Sequence, residues 1–139
     1  MPQIASAPFV LKDAVLKIDA DTYEKHVSSV TFTPAMSVVT WQGITPSASF
    51  SDTTAPSWTC AVEYAQDWTT ADSLSQYLMD NAGQTKTVVF QPLGATTGDP
   101  TFTATVIIAP GPIGGAVNTV QTGTVTMGVV GEPVRGTVA

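Results

Sequence analysis

From residue 101 to 108 the chain reads TFTATVII, with Phe102, Ala104, Val106 and Ile108 opposing Thr101, Thr103 and Thr105. A period of two is the signature of a half-buried strand. The same alternation returns after residue 121, where Val125, Met127 and Val129 oppose Thr122, Thr124 and Thr126. Each of these strands therefore has an apolar core face and a threonine ladder on the other face.

Five further segments carry β patterning. AVLKI at 14–18 sets Leu16 and Ile18 on one face and runs into DADT, whose Asp and Thr have turn chemistry. YEKHVSSVTFTP sets Val30 and Phe32 against Ser29, Thr31 and Thr33, with a bulge at the doubled serines and Pro34 as its end. MSVVTWQ at 36–42, SWTCAVEYA at 57–65 and KTVVFQP at 86–92 complete the set. Between MSVVTWQ and SWTCAVEYA, residues 43–56 hold two prolines, a glycine and many hydroxyls. They read as a long loop, functional or mobile by its length, with Phe50 in need of an apolar partner. PGPIGGAV reads as a tight turn region.

One stretch breaks the rhythm. AQDWTTADSLSQYLMDNAGQ, at 65–84, reads as a helix with Leu74, Tyr77 and Leu78 in a narrow apolar stripe. Thr69 or Thr70 would cap its start, Trp68 would staple the entry, Asp72 would suit the dipole, and Gly83 would serve the C-terminal cap. Such a helix covers one side of something larger. The pattern predicts a mainly β fold, an antiparallel β-sandwich or open barrel of about seven strands with one flanking α-helix. At 139 residues it is the size of one domain, 1–139, with residues 1–13 as an N-terminal arm.

Charge narrows the function. Charged residues make up 12% of the chain, about half the usual share, and five basic against eleven acidic residues leave a net charge of -6. From Thr87 to Gly131 the only charged side chain is Asp99. Without a basic patch there is little counterion release to drive nucleic-acid binding. No stretch approaches the ~20 apolar residues of a membrane helix, and no signal h-region stands near the start, so a soluble, unexported chain is expected. The single cysteine, Cys60, shares a face with Trp58, Val62 and Tyr64 and is expected to be buried and reduced.

Candidate chemistry is sparse. His26 is the sole histidine and no nucleophile elbow accompanies it. Asp19, Asp21 and Glu24 lie close in sequence but lack the glycine and closing glutamate of a calcium loop, so a solvated turn is expected. GPIGG at 111–115 has no lysine where a phosphate loop needs one, and Pro112 removes an amide; its glycines serve positive φ or close approach. Asp67, Asp72 and Asp80 read as a wet helix face. No enzyme activity, metal or cofactor is expected. Ile4, Phe9 and Val10 in the arm and Phe50 in the loop have no evident partner within the domain, which points to a second chain.

The order of segments resembles a known family. A W-x-C strand at Trp58 to Cys60, the helix around Leu74, Tyr77 and Leu78, TVVFQP, a P-x-F strand at Pro100 to Phe102, and IGGAVN leading to a Thr-rich strand and GEP resemble the major tail tube proteins of long-tailed, siphovirus-type bacteriophages, above all those infecting actinobacteria. The resemblance covers roughly residues 27–134. It implies a β-sandwich with an outer helix, Leu74, Tyr77 and Leu78 on its apolar stripe, that self-assembles into hexameric rings stacked as a hollow tube in the virion tail. Assembly would take place in the host cytoplasm. DNA would transit the lumen without specific binding, and tape-measure and tail terminator or tip proteins would be further partners. On this resemblance 43–56 is the candidate stacking loop, with Phe50, Phe9 and Val10 as inter-ring contacts, and Thr101, Thr103, Thr105, Thr122, Thr124 and Thr126 face the lumen or an interface. Two alternatives stand beside it: a carbohydrate-binding sandwich using Trp41, Trp58 or Trp68, and a related secretion-system tube subunit.

Overall fold

The computed structural model describes residues 2–139. Along the chain come β1 (Val15–Ile18), β2 (Asp21–Thr22), β3 (Val27–Ala35), β4 (Val38–Gln42), β5 (Ser49–Thr53), β6 (Ser57–Ala65), α1 (Leu74–Asp80), β7 (Thr85–Gln91), β8 (Pro100–Ile107) and β9 (Thr122–Thr137). Seven strands form one sheet in the order β2-β1-β7-β8-β9-β6-β3, and β4 and β5 form a second, two-stranded one. Every ladder is antiparallel. The fold is mainly β with one flanking helix, as the alternation predicts.

The large sheet folds on itself through β9. The first half of this 16-residue strand pairs with β6, from Thr122 opposite Ala65 to Gly128 opposite Thr59. Its second half pairs with β8, from Val129 opposite Val106 to Thr137 opposite Pro100. One strand thus belongs to both layers. The layers enclose a core in which Leu16, Ile18, Val88 and Val106 from one side meet Cys60, Val62, Val125 and Met127 from the other. These are the inward positions of the alternating runs, and each fully buried Val, Leu, Ile or Met contributes about 1.5–3 kcal/mol by leaving water. Burial pushes the Cys60 thiol up to about 12, which keeps it protonated.

Two irregularities aim the strands. The bulge expected at the doubled serines is present as a register shift between Val27 and Ser29. A second shift on β9 faces Thr103 and Thr105 of β8, with Gly131 at φ 81° and Pro133 within the extra length. Pro34 does not end its strand: β3 is an edge, where a missing amide costs no ladder bond, and pairing continues to Ala35 opposite Ser57.

The helix is much shorter than 65–84. Asp67 Oδ1 accepts hydrogen bonds from the amides of Thr69 and Thr70, at 3.0 and 3.2 Å, and from the Thr69 hydroxyl. This local turn takes the amides that a helix start would need. Asp72 then adopts φ 59°, so it precedes the helix rather than lying in its first turn, and Ser73 is the N-cap residue, with its hydroxyl donating to Asp67 O at 2.6 Å. Neither Thr69 nor Thr70 caps. Asn81 stands at the C-cap, while Gly83, at φ 85°, turns the chain into β7 and donates its amide to Ile108 O. Leu74 and Leu78 are buried and Tyr77 packs on Tyr23, so the apolar stripe closes one end of the core as expected.

Candidate functional site

The 43–56 segment is not loop throughout. Ser49–Thr53 forms β5 and pairs with β4 in full register, Val38 opposite Thr53 and Trp41 opposite Phe50. SFSDT has little β propensity of its own; the partner VVTWQ supplies it. The resulting hairpin leaves the body after Ala35 and returns at Ser57, pairs with no other strand among the described residues, and is exposed on both faces. Val38, Val39, Trp41 and Phe50 are all more than half exposed, and Ile44 at the tip is completely so. An isolated two-stranded hairpin is marginal in water. This one also spreads apolar side chains over both faces, which calls for a cover.

The N-terminal arm lies beside it in character. Residues 2–14 carry no regular structure, and Ile4, Phe9 and Val10 are strongly exposed. The sandwich is open where the hairpin leaves it. There Phe32, Trp58, Phe90, Phe102 and Pro133 line an apolar cavity of about 260 Å³ with Arg135 as its one charged wall.

The opposite end carries the 110–121 loop. Gln66 holds this loop with two bonds to Gly114, its amide nitrogen donating to Gly114 O and its oxygen accepting from Gly114 N, and a third bond from the nitrogen to Thr122 O anchors it at the start of β9. Gln121 donates to Ala116 O at 2.6 Å and Thr119 O at 2.9 Å. Gly111 lies against the Tyr64 phenol, where a Cβ would overlap the hydroxyl, so close approach explains that glycine; Gly114 needs its φ of 88°. The segment read as a tight turn is therefore a wide, pinned loop that shows Ile113, Val117 and Val120 to solvent.

The two threonine ladders lie on different layers. Thr101, Thr103 and Thr105 are half-buried on the outer face of β8, beside Val134 and the exposed Val130 of β9. Thr122, Thr124 and Thr126 are exposed on the other layer, where cross-strand register sets Thr126 in line with Ala61 and Thr31, and Gly128 with Thr59 and Thr33. That face carries six threonines and one charge, Glu63. Single-strand alternation already puts Thr31 and Thr33 on the outward face of their strand; the register is what joins them and Thr59 to the β9 ladder.

The remaining candidates stay apart. His26 is half-buried and edge-on to Tyr23, with ring centroids 5.8 Å apart. Asp19 approaches Lys86 at 3.8 Å, and Asp21 sits on β2. Among the described residues no group of three or more His, Cys, Asp and Glu side chains is placed to hold a metal, and no helix is long and apolar enough to cross a membrane. Trp41 is on the hairpin, Trp58 is the second residue of β6 and Trp68 follows its far end, so the three do not share one patch. Trp68 O accepts from the Gln76 side chain at 2.6 Å, which ties the entry segment to the helix.

No protein-family model and no curated protein sequence matches the chain. Solved structures do match in fold. A chain in the cryo-EM structure of the anti-feeding prophage baseplate, six-fold symmetrised, is 15% identical, with a TM-score of 0.59 over 96% of this chain and 99% of that one. At that identity the likeness is one of fold.

Proposed function

We propose that this chain is a structural subunit of a phage tail or phage-derived injection particle, and more finely that copies of it form stacked hexameric rings of a hollow tail tube through which DNA passes. The observation that carries this reading is the β4–β5 hairpin, which shows apolar side chains on both faces and is left exposed by the described residues of its own chain. The arm repeats the signal, and the free outer edge of β3 offers unpaired amides to a neighbouring sheet. A chain with so little charge suits a surface that mostly becomes interface. The fold likeness to a chain of a six-fold symmetrised phage-like particle supports the same class.

In this reading the threonine face of β3, β6 and β9 lines the lumen, with Glu63 as its charge. A wall without Lys or Arg adds no salt-dependent grip on passing phosphates. The subunit binds DNA nowhere, performs no reaction, and meets tape-measure and terminator or tip proteins at the ends of the tube, in the virion tail after assembly in the host cytoplasm. Negative-stain microscopy of concentrated protein tests it: rings or tubes are expected, and a monomer at all concentrations would sink the proposal. A second reading is favoured by the setting of the structural neighbour, a baseplate. It expects discs that form but do not elongate. Three tryptophans on separate elements give the carbohydrate-binding alternative no common platform.

A further inference from the structure

We infer that the crevice between the two layers binds a medium-chain fatty acid, with the carboxylate on Arg135 and the alkyl chain laid across β8, β7 and β1. The inference goes beyond the assembly reading and concerns the single subunit.

The sheet order leaves the site open. Among the described residues no ladder joins β1 to β3, and β1 has four residues where β3 has nine. Two cavities lie in this gap. One, of about 440 Å³, has Leu16, Val27, Val30 and Phe90 among its walls, and the other is the aromatic cavity of about 260 Å³ at the hairpin end. Val30 and Phe90 line both, so the two adjoin. Together they fall within the roughly 300–1,000 Å³ of small-molecule sites.

Register supplies length and polarity. Leu16 stands opposite Phe90, Phe90 opposite Phe102, and Phe102 opposite Arg135, so the four inward positions form one row across β1, β7, β8 and β9. Three steps of about 4.8 Å make roughly 14 Å, about the extent of a straight chain of ten to twelve carbons. The row is apolar at three positions and cationic at the fourth.

Charge decides which end holds the head group. Lys12 and Lys25 border the larger cavity, but Asp13 and Glu24 border it too. Arg135 is the one charged wall of the smaller cavity and enters no ion pair among the described residues. A guanidinium meets a carboxylate through two parallel hydrogen bonds and, being weakly hydrated, tolerates aromatic neighbours. Arg135 is itself exposed, so the carboxylate sits at the mouth while the chain lies inside. A neutral lipid would leave the guanidinium without a partner, and a small anion would leave the apolar row unfilled.

Calorimetric titration of the dilute subunit with sodium dodecanoate, kept below its micelle concentration, tests this. One equivalent is expected to bind, at least tenfold tighter than octanoate, because each methylene that leaves water tightens binding by about fourfold. Arg135→Gln alters an exposed side chain and leaves the fold intact, and it is expected to weaken dodecanoate binding at least tenfold. Lys17→Gln, at an exposed position on the outer face of β1, is expected to bind as the wild type does. Absence of binding, a gain below tenfold from octanoate to dodecanoate, a loss below tenfold at Arg135→Gln, or an equal loss at Lys17→Gln would overturn the site. No assembly enters the measurement, so the tube can fail while the site holds, and the reverse.

Discussion

β4 and the first half of β9 both set apolar residues beside threonine, yet they meet opposite fates. On β9 the inward residues Val125 and Met127 are buried against Cys60 and Val62, while the outward threonines stay wet. On β4 all five residues are exposed, and Trp41 has only Phe50 across the ladder for company. A sheet face becomes a core face only when a second layer stands behind it. The hairpin has a ladder without a layer, so its apolar content is available to another chain, whereas that of β9 is already spent.

That contrast can be broken from its stable side first. Leu78→Ala, beneath the helix, is expected to cost about 2–5 kcal/mol, read as a fall in the denaturant midpoint. Gly111→Ala drives a methyl into the buried Tyr64 phenol, and about 1–3 kcal/mol of overpacking is expected in the same assay. Trp41→Ser should leave the monomer's unfolding within about 0.5 kcal/mol, since more than half of the side chain is exposed. The same variant should raise the concentration needed for assembly about tenfold or more, as loss of an aromatic anchor does. Equal loss of monomer stability at Trp41 and Leu78 would erase the distinction between the two regions.

The smallest effect is a titration. Hydrogen bonds from Thr70, and then Thr69, pull the Asp67 carboxyl from its ordinary 3.8 down to about 2. The unfolded chain takes up that proton first, so the turn's contribution is complete above 3.8 and fades as pH falls toward about 2. Asp67→Asn should flatten the acid limb of the unfolding profile in that interval, with a small loss of stability at neutral pH that vanishes as pH falls below about 2.

Much of the fold is legible in the sequence because one buried face imposes its period. Val106 and Ile108, and Val125 and Met127, are buried where alternation puts them. Legibility fails where a local bond or a distant partner decides. The turn around Asp67 overrode helical spacing before Ser73, and SFSDT became a strand through its neighbour rather than its own composition. The register shift that takes up Gly131 and Pro133, and the onward pairing to Thr137, are set by the partner β8 and have no period of their own to read. Phe50 was visible as an apolar residue without company. Ile113, Val117 and Val120 were hidden among glycines and prolines that read as a turn, although three aliphatic residues in an uncharged stretch were themselves a signal.

The long β9 has a mechanical side. Because one covalent backbone of roughly 50 Å runs through both layers, they cannot slide past each other as two separate sheets would. A pull on the hairpin end enters through β3 and β6, crosses to β9 through its ladder, and reaches β8 along the same strand. The bulge around Gly131 is where this tie has slack, so axial strain collects there first, and the sandwich transmits load from one end to the other as a single stiff piece.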